Sequence, residues 1–114
     1  LGEAYRGRAT LALSPAALAV GDTLLLQVDL QSTSPAPQRL AIDYAVHHVK
    51  ADGRASAKVF KGWVLELAAG ETRELVKRHS MRPVTTRRYH AGRHVVDLRI
   101  NGEVRAEVWF DLRL

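Results

Sequence analysis

A chain of 114 residues, of which 46% are hydrophobic, 25% are charged and four are proline, has the size and composition of one folded domain. This composition excludes a disordered tail and a fibrous protein, and no apolar run approaches the ~20 residues that a membrane-spanning helix needs. The absence of cysteine excludes disulfides and thiolate metal sites and favours a reducing compartment, so we expect a cytoplasmic location.

The net charge of +5 is concentrated in one stretch. Residues 77–94, KRHSMRPVTTRRYHAGRH, hold six of the 17 Lys and Arg and none of the 12 Asp and Glu, which leaves the rest of the chain at −1. We call residues 77–94 the basic segment. A local positive field of this kind can attract phosphates.

Short alternating segments dominate the first half of the chain. Residues 8–13 alternate, and SPAALAVGDT at 14–23 carries the Pro and Gly-Asp pattern of a turn. Residues 24–31 alternate between apolar and polar side chains, which predicts a half-buried strand. A further strand follows SPAP and points these residues inward: Leu40, Ile42, Tyr44 and Val46.

The middle of the chain predicts a hairpin and then a long connection. Asp52-Gly53 suits a tight turn, and the apolar segment 59–67 follows it as a less regular strand. A strand from residue 73 is expected to end near residue 80, because Pro83 disfavours central pairing. Residues 81–91 are then a long connection at one end of the domain, and long connections are often functional.

The last two strands form a hairpin around Asn101-Gly102, the strongest short-range turn signal in the sequence. The apolar positions of the last strand are predicted to face one way, and Trp109 the other. With about seven short strands and no helical period, the sequence predicts a single all-β domain over 1–114, an antiparallel immunoglobulin-like β-sandwich. The inward residues of these two strands are His94, Val96, Leu98 and Ile100, then Val104, Ala106, Val108, Phe110 and Leu112.

The segment AGRHVV resembles the start of strand F in that fold. A Tyr two residues before the buried Cys closes the corner there by hydrogen-bonding to the backbone. His94 stands at the position of the Tyr and Val96 at that of the Cys. His94 is therefore predicted to be a structural residue, with a ring nitrogen as the donor.

Two stretches, HHVKADGRASAKVFKGWVLELAAGET and KRHSMRPVTTRRYHAGRHVVDLRINGEVRAEVWFDLR, carry a family resemblance. They resemble the C-terminal β-sandwich domain of HEAT-like-repeat DNA alkylation repair proteins, the alkylpurine DNA glycosylase family. The resemblance covers about residues 40–113 and is most specific from His79 through residues 85–89 to His94. Since the chain starts at Leu1 and not at Met, we expect a C-terminal fragment of a longer protein.

The resemblance implies a function for the domain. In that family a solenoid of helical repeats holds the alkylated DNA and carries the acidic catalytic residue, while the β-sandwich helps to enclose the duplex. This chain has no helical repeat, so the resemblance implies an accessory domain without its enzyme. Its expected partners are the backbone of double-stranded DNA and a helical-repeat domain of the same parent chain, with no membrane.

The basic segment is the candidate DNA contact. Arginine offers planar forks of donors to phosphate, threonine adds hydroxyl donors, and a lone tyrosine can pack on sugar or a base edge. Such contacts carry no base identity. The open alternative is a solvated loop that pairs with acids on neighbouring strands. The predicted DNA-binding residues are Lys77, Arg78, Arg82, Thr85, Thr86, Arg87, Arg88, Tyr89 and Arg93.

A second basic group, which we call the hairpin cluster, surrounds the Asp52-Gly53 turn. It could extend a track of phosphate contacts, or its charges could simply protect an exposed strand edge. Its members are Lys50, Arg54, Lys58 and Lys61.

Other kinds of site find little support in the sequence. The adjacent His47 and His48 point to opposite faces of a strand, so a metal site is not expected. The sequence has no nucleophile elbow and no Gly-rich phosphate loop, so we expect neither a catalytic residue nor a cofactor. An outward Trp109 predicts a docking anchor for a neighbouring domain, in a protein-interaction module if DNA binding is absent. The alternative is that the segment around Tyr5 covers it.

Overall fold

The computed structural model describes residues 3–49, 55–82 and 89–114, and within them two β-sheets pack face to face. Sheet A has the strand order β1-β3-β6 and sheet B the order β2-β8-β7-β4-β5. The predicted all-β sandwich is confirmed, and no described helix could span a membrane. The strands are β1 (Gly7–Ser14), β2 (Ala17–Ala19), β3 (Thr23–Ser32), β4 (Gln38–Val49), β5 (Ala55–Leu67), β6 (Thr72–Ser80), β7 (Gly92–Ile100) and β8 (Glu103–Arg113).

The core forms where the period-two pattern is cleanest. The predicted inward residues of β3, β4 and β7 are all at most 3% exposed, and their neighbours in sequence mostly turn outward. Because successive side chains of a strand point to opposite faces, each of these strands contributes one apolar face to the layer between the sheets. Within this layer the Tyr44 hydroxyl on β4 and Nδ1 of His79 on β6 are hydrogen-bonded at 2.9 Å.

The segment predicted to be a turn at 14–23 contains a short strand. β2 pairs in parallel with the end of β8, and its central residue, Leu18, is fully buried. The eight strands agree with the predicted number of about seven, but the prediction of a turn missed β2, whose pairing with β8 is parallel while the other described pairs are antiparallel. A three-residue strand is too short to display a period, and its pairing with the C-terminal strand is non-local.

The predicted inward direction of Val104 was also wrong. The register of β7 with β8 shifts after Leu98, which leaves Arg105 as an extra residue in a β-bulge. The bulge reverses the direction of the side chains before it, so Val104 is 53% exposed on the outer face of sheet B. The Arg105 guanidinium instead donates to the backbone carbonyls of Tyr5 and Gly7, at 2.8 and 2.9 Å.

The strand directions give the sandwich two distinct ends, in a domain of 47 × 24 × 20 Å. At one end β4 and β6 finish while β5 and β7 start. We call it the basic end because Arg82 and Arg93 of the basic segment lie there. The other, the far end, holds residues 3–6 and the turn between β7 and β8. The β4–β5 and β6–β7 connections thus belong to the same end.

Side chains from β6 close the open edge between the sheets. The Lys77 Nζ lies 5.3 Å from the centre of the Trp63 ring and donates to the Gly62 carbonyl at 2.9 Å. Arg73 donates to the Glu66 carbonyl on the same strand, β5, at 3.3 Å. These contacts occupy edge carbonyls that could otherwise pair with another chain.

The turn between β7 and β8 has the geometry that its sequence predicts. Asn101 and Gly102 have φ values of 49° and 85°, the pair of positive angles found in a type I′ turn. The Asn101 side chain accepts from the Ala41 amide at 2.9 Å and donates to the Glu3 and Arg39 carbonyls at 2.7 and 3.2 Å. One residue therefore joins the turn, β4 and the N-terminal segment.

We expect Asn101→Ala to lower the free energy of unfolding by about 2–3 kcal/mol, because it removes three hydrogen bonds and places a Cβ-bearing residue without a polar side chain at positive φ. Asn101→Gly removes the same hydrogen bonds but tolerates positive φ, so it should lose less than the alanine variant. Urea unfolding at 25 °C measures both. A loss below about 0.5 kcal/mol for the alanine variant would show that the turn does not depend on this side chain.

His94 occupies the predicted corner of the sandwich. It is fully buried, its ring stacks on Phe110 at 5.3 Å between centroids, and its Nδ1–H donates to the Gly92 carbonyl at 3.1 Å. Burial lowers the pKa of His94, the bond to Gly92 opposes this shift, and the charge of His90 adds to it. The native corner therefore favours a neutral ring, and the structural role predicted for His94 is confirmed.

The lowered pKa predicts the pH dependence of stability. Since the folded chain binds this proton less readily than the unfolded chain, whose His pKa is about 6.5, the contribution of His94 is complete above that pH and is lost as the pH falls. Relative to His94→Gln, the unaltered chain should lose free energy of unfolding from about pH 7 to pH 5. His94→Tyr, which supplies the usual corner residue, serves as a second reference. Parallel pH profiles for all three chains would refute the expectation.

Candidate nucleic-acid interface

Three aromatic rings hold the two basic connections together. His48, at the end of β4, lies 5.7 Å from Tyr89 and 5.7 Å from His94, measured between ring centroids. Tyr89 is the first described residue after the gap in the β6–β7 connection, so that connection returns to the fold beside the start of the β4–β5 connection. The structure therefore places the roots of both predicted basic groups next to each other.

The β6–β7 connection is anchored where it leaves the sandwich. Met81 is fully buried, its amide donates to the Asp22 carbonyl at 2.9 Å, and its carbonyl accepts from the Gly21 amide at 2.9 Å. The Tyr89 hydroxyl donates to the Arg82 carbonyl at 3.2 Å. Arg82 and Tyr89, at the two described ends of the connection, are thus hydrogen-bonded to each other, and Met81 is hydrogen-bonded to the β2–β3 turn.

The described members of the predicted DNA-binding set point in different directions. Lys77 faces the open edge of the sandwich and donates to the Gly62 carbonyl, whereas Arg78 is exposed on the outer face of sheet A, opposite Leu25. Arg82 is exposed at the root of the connection. Four predicted residues lie outside the described part of the chain: Thr85, Thr86, Arg87 and Arg88.

Arg93 stands on the outer face of sheet B, at the start of β7. Its guanidinium carbon lies 3.6 Å from the centre of the Trp109 ring, and its Nε is 3.9 Å from a carboxylate oxygen of Asp111. The Arg93 side chain is 60% exposed despite these contacts. The Arg93 guanidinium, with its N–H donors, therefore stacks on the Trp109 ring at the edge of the basic end.

Arg78 and Arg93 lie on the outer faces of different sheets, which face away from each other. No flat face of the sandwich can present both side chains to one ligand. A single ligand that touches both has to approach the basic end itself, where Arg82 and the two connections lie. The candidate interface is consequently the end of the sandwich and not the surface of a sheet.

The hairpin cluster is spread along β5. Lys50 and Arg54 lie outside the described residues, and Lys58 is exposed near the start of the strand, 5.7 Å from the centre of the Phe60 ring. Lys61 is also exposed, but it stands opposite Asp43 and six residues into β5, roughly 20 Å from the basic end. Lys58 can extend the candidate interface more readily than Lys61 can.

A buried acid on the outer face of sheet B was not predicted from the sequence. Asp97 is 2% exposed, accepts from Arg99 at 2.8 and 3.2 Å, and lies 2.7 Å from Nε2 of His47. Burial alone would raise the pKa of Asp97, but the hydrogen bonds from Arg99 and His47 outweigh it and lower the pKa. An outward position in a strand predicts a solvated carboxylate. Arg99, two residues later on the same face, is the sequence signal that could have corrected this, whereas His47 comes from the neighbouring strand.

Trp109 faces outward as predicted and is 46% exposed. The alternative, that the segment around Tyr5 covers it, was wrong. Tyr5 is buried elsewhere, where its hydroxyl donates to the Arg8 carbonyl and Arg105 lies over its ring at 5.1 Å. The part of the chain that the structure describes contains no group of three His, Asp or Glu side chains arranged to hold a metal ion.

A shallow cavity of about 310 Å³ opens at the far end of the sandwich, on the opposite side of the domain from the basic end. Backbone and polar side chains line it, and it adds no group to the candidate interface. Its lining includes Glu3, Arg6, Ser34, Gln38, Arg39 and Asn101.

Comparison with known proteins identifies the domain. Residues 8–114 match the model of a family described as "Uncharacterised protein YhaZ, C-terminal Ig-like domain". The chain is 30% identical over 102 residues to the uncharacterized protein YhaZ of Bacillus subtilis (strain 168), and the match covers 90% of this chain and 28% of YhaZ. The chain thus spans less than a third of that relative.

Solved structures agree on the fold. The chain is 38% identical to the Pseudomonas fluorescens alkylpurine DNA glycosylase AlkC bound to DNA containing an abasic site analog, with a TM-score of 0.93 over 96% of this chain and 31% of AlkC. A β-glucosidase from Listeria innocua has a TM-score of 0.76 at 18% identity, over 100% of this chain and 17% of the enzyme, and shows the fold alone. The chain belongs to the family of YhaZ C-terminal immunoglobulin-like domains.

Proposed function

We propose that this domain is the non-catalytic, DNA-binding accessory part of a DNA alkylation repair protein, and that its basic end contacts the phosphate backbone of double-stranded DNA. The similarity to AlkC, whose structure contains DNA, supports the repair role. The observation that carries the proposed contact is the convergence of both basic connections at one end, joined by His48 and Tyr89. A cytoplasmic location is part of the same proposal.

The chemistry of the basic end suits a phosphate backbone. Arg78, Arg82 and Arg93 lie around this end, and Arg87 and Arg88 follow Arg82 in the sequence. The guanidinium of an arginine can donate two parallel hydrogen bonds to phosphate oxygens. Contacts of this kind position a protein on DNA without reading its sequence. The domain should therefore bind any duplex weakly and help a neighbouring domain to hold the DNA.

The N-terminal segment is held at the far end by contacts within the domain. Residues 3–7 are held by Asn101 and Arg105, and by the Gln38 side chain, which accepts from the Arg6 amide at 2.8 Å and donates to the Arg6 carbonyl at 2.9 Å. The proposed parent is an alkylpurine DNA glycosylase, in which a helical-repeat domain of the same chain would carry the catalytic residue. The accessory domain would then add its own contacts with the DNA backbone.

A direct test is titration of a short fluorescein-labelled duplex with the domain, followed by anisotropy at several salt concentrations. We expect binding that weakens steeply with salt, because the affinity comes from released counterions. Arg82→Gln, Arg93→Gln and the pair Arg87→Ala/Arg88→Ala should each lower the affinity, and each lost phosphate contact should reduce the log–log salt slope by about 0.9.

Arg39→Gln, which removes an exposed charge near the far end, is the matched control and should change the affinity least. The protein concentration must reach about 10⁻⁴ M, since non-specific binding can be that weak. Absence of binding at low salt, or equal losses for Arg39→Gln and the basic-end variants, would contradict the proposal.

A second function is favoured by the outer face of sheet B. Besides Trp109, three exposed apolar residues lie on this face, namely Val59, Val64 and Val104, which are 48%, 83% and 53% exposed. Exposed apolar surface of this kind can mark a protein-protein contact, so the domain would be an interaction module with Trp109 as its docking anchor. This function predicts no duplex binding, and the same titration separates it from the first.

A further inference from the structure

The stack of Arg93 on Trp109 differs from the other cation–aromatic contacts of the described residues. Their cations lie 5.1 to 5.7 Å from the ring centres, whereas the Arg93 guanidinium lies at 3.6 Å. The strand register explains the contact, because Arg93 pairs with Asp111 and Trp109 stands two residues before Asp111, on the same face. The two side chains are diagonal neighbours across β7 and β8.

The polar donors of Arg93 are engaged differently from those of the comparable cations. Lys77 donates to a backbone carbonyl, and Arg105 donates to two, so their charges are used inside the domain. Among the described residues, the charged partner of Arg93 is Asp111, whose side chain is half-exposed. The distance of 3.9 Å between Arg93 Nε and the Asp111 carboxylate is too long for a hydrogen bond. The ring fixes the plane of the guanidinium while its edge stays available to a ligand.

We propose that Trp109 is a positioning residue that holds Arg93 ready for a DNA phosphate. This inference rests on the proposed function and deepens it. A free arginine loses rotamer freedom when it binds, and a side chain already ordered by stacking avoids most of that loss. The interpretation also changes the role predicted for Trp109, from an anchor for another domain to a platform for a DNA contact.

The geometry limits the direction from which DNA can come. Asp111 lies on the β8 side of Arg93 and repels phosphate, so the phosphate meets the guanidinium edge that faces away from Asp111. Asp111→Asn should therefore raise duplex affinity slightly, in the opposite direction to a change in Arg93 or Trp109. A rise in duplex affinity in Asp111→Asn distinguishes a phosphate contact of Arg93 from a purely structural stack.

A double-mutant cycle tests the proposal, with the unaltered domain, Trp109→Leu, Arg93→Gln and the double variant titrated with the same duplex. We expect each single change to lower the affinity about two- to tenfold, and the double variant to bind no more weakly than Arg93→Gln. Trp109→Leu should also reduce the salt slope by about 0.9, although it removes no charge. Trp109→Phe, which keeps an aromatic face, should recover most of the affinity.

Val104→Ala, an exposed apolar position on the same strand and face, is the matched control and should leave affinity unchanged. Thermal unfolding of each variant, and the side-chain Nε–H signal of Arg93 in an NMR spectrum, report folding and stacking without DNA. Loss of the ring-induced shift of that signal is expected in Trp109→Leu.

Two results would overturn the inference while leaving the proposed function in place. One is unchanged affinity in Trp109→Leu, and the other is losses that add fully in the double variant. Failure of the unaltered domain to bind duplex at all would overturn both.

Discussion

The packing of His48, Tyr89 and His94 at the basic end is the constraint on which the functional account depends. His94 closes the corner at the start of β7 with a bond to Gly92. His48 then brings the end of β4 against that corner and against Tyr89. Because His48 comes from β4 and the other two rings from the segment that leads into β7, their contact places the end of β4 beside Tyr89, where the described chain resumes before β7.

Four cations of the sandwich are engaged in contacts within the domain. Lys77 and Arg73 cover the open edge of β5, Arg105 fastens the N-terminal segment, and Arg99 neutralises the buried Asp97. A cation count would assign all of them to binding. Contacts within the fold engage these four cations, whereas Arg82 and Arg93 remain exposed at the basic end.

Much of the fold could be predicted because burial follows the alternation of single strands. The inward faces of β3, β4 and β7, the Asn101-Gly102 turn and the corner residue His94 all follow from local sequence. The errors have non-local causes. β2 forms because β8 offers an edge to Leu18, and Val104 turns outward because of a bulge defined by its partner strand.

The candidate site was less predictable than the fold, since charge alone does not show where a side chain points. Arg78 and Arg93 lie on the outer faces of different sheets, Lys77 points into the edge of the sandwich, and Arg93 stacks on Trp109. The spacing of residues within the basic segment predicts none of these positions. The convergence of two connections at one end required the sheet order.

The most direct test of the central claim is a map of backbone amide shifts in an NMR spectrum as a short duplex is added to the isotopically labelled domain. We predict perturbations that cluster at the basic end, around His48, Arg82, Tyr89 and Arg93, and that are absent at the far end, around Ser34 and Asn101. Perturbations centred on the far end or on the middle of a sheet face would contradict the account.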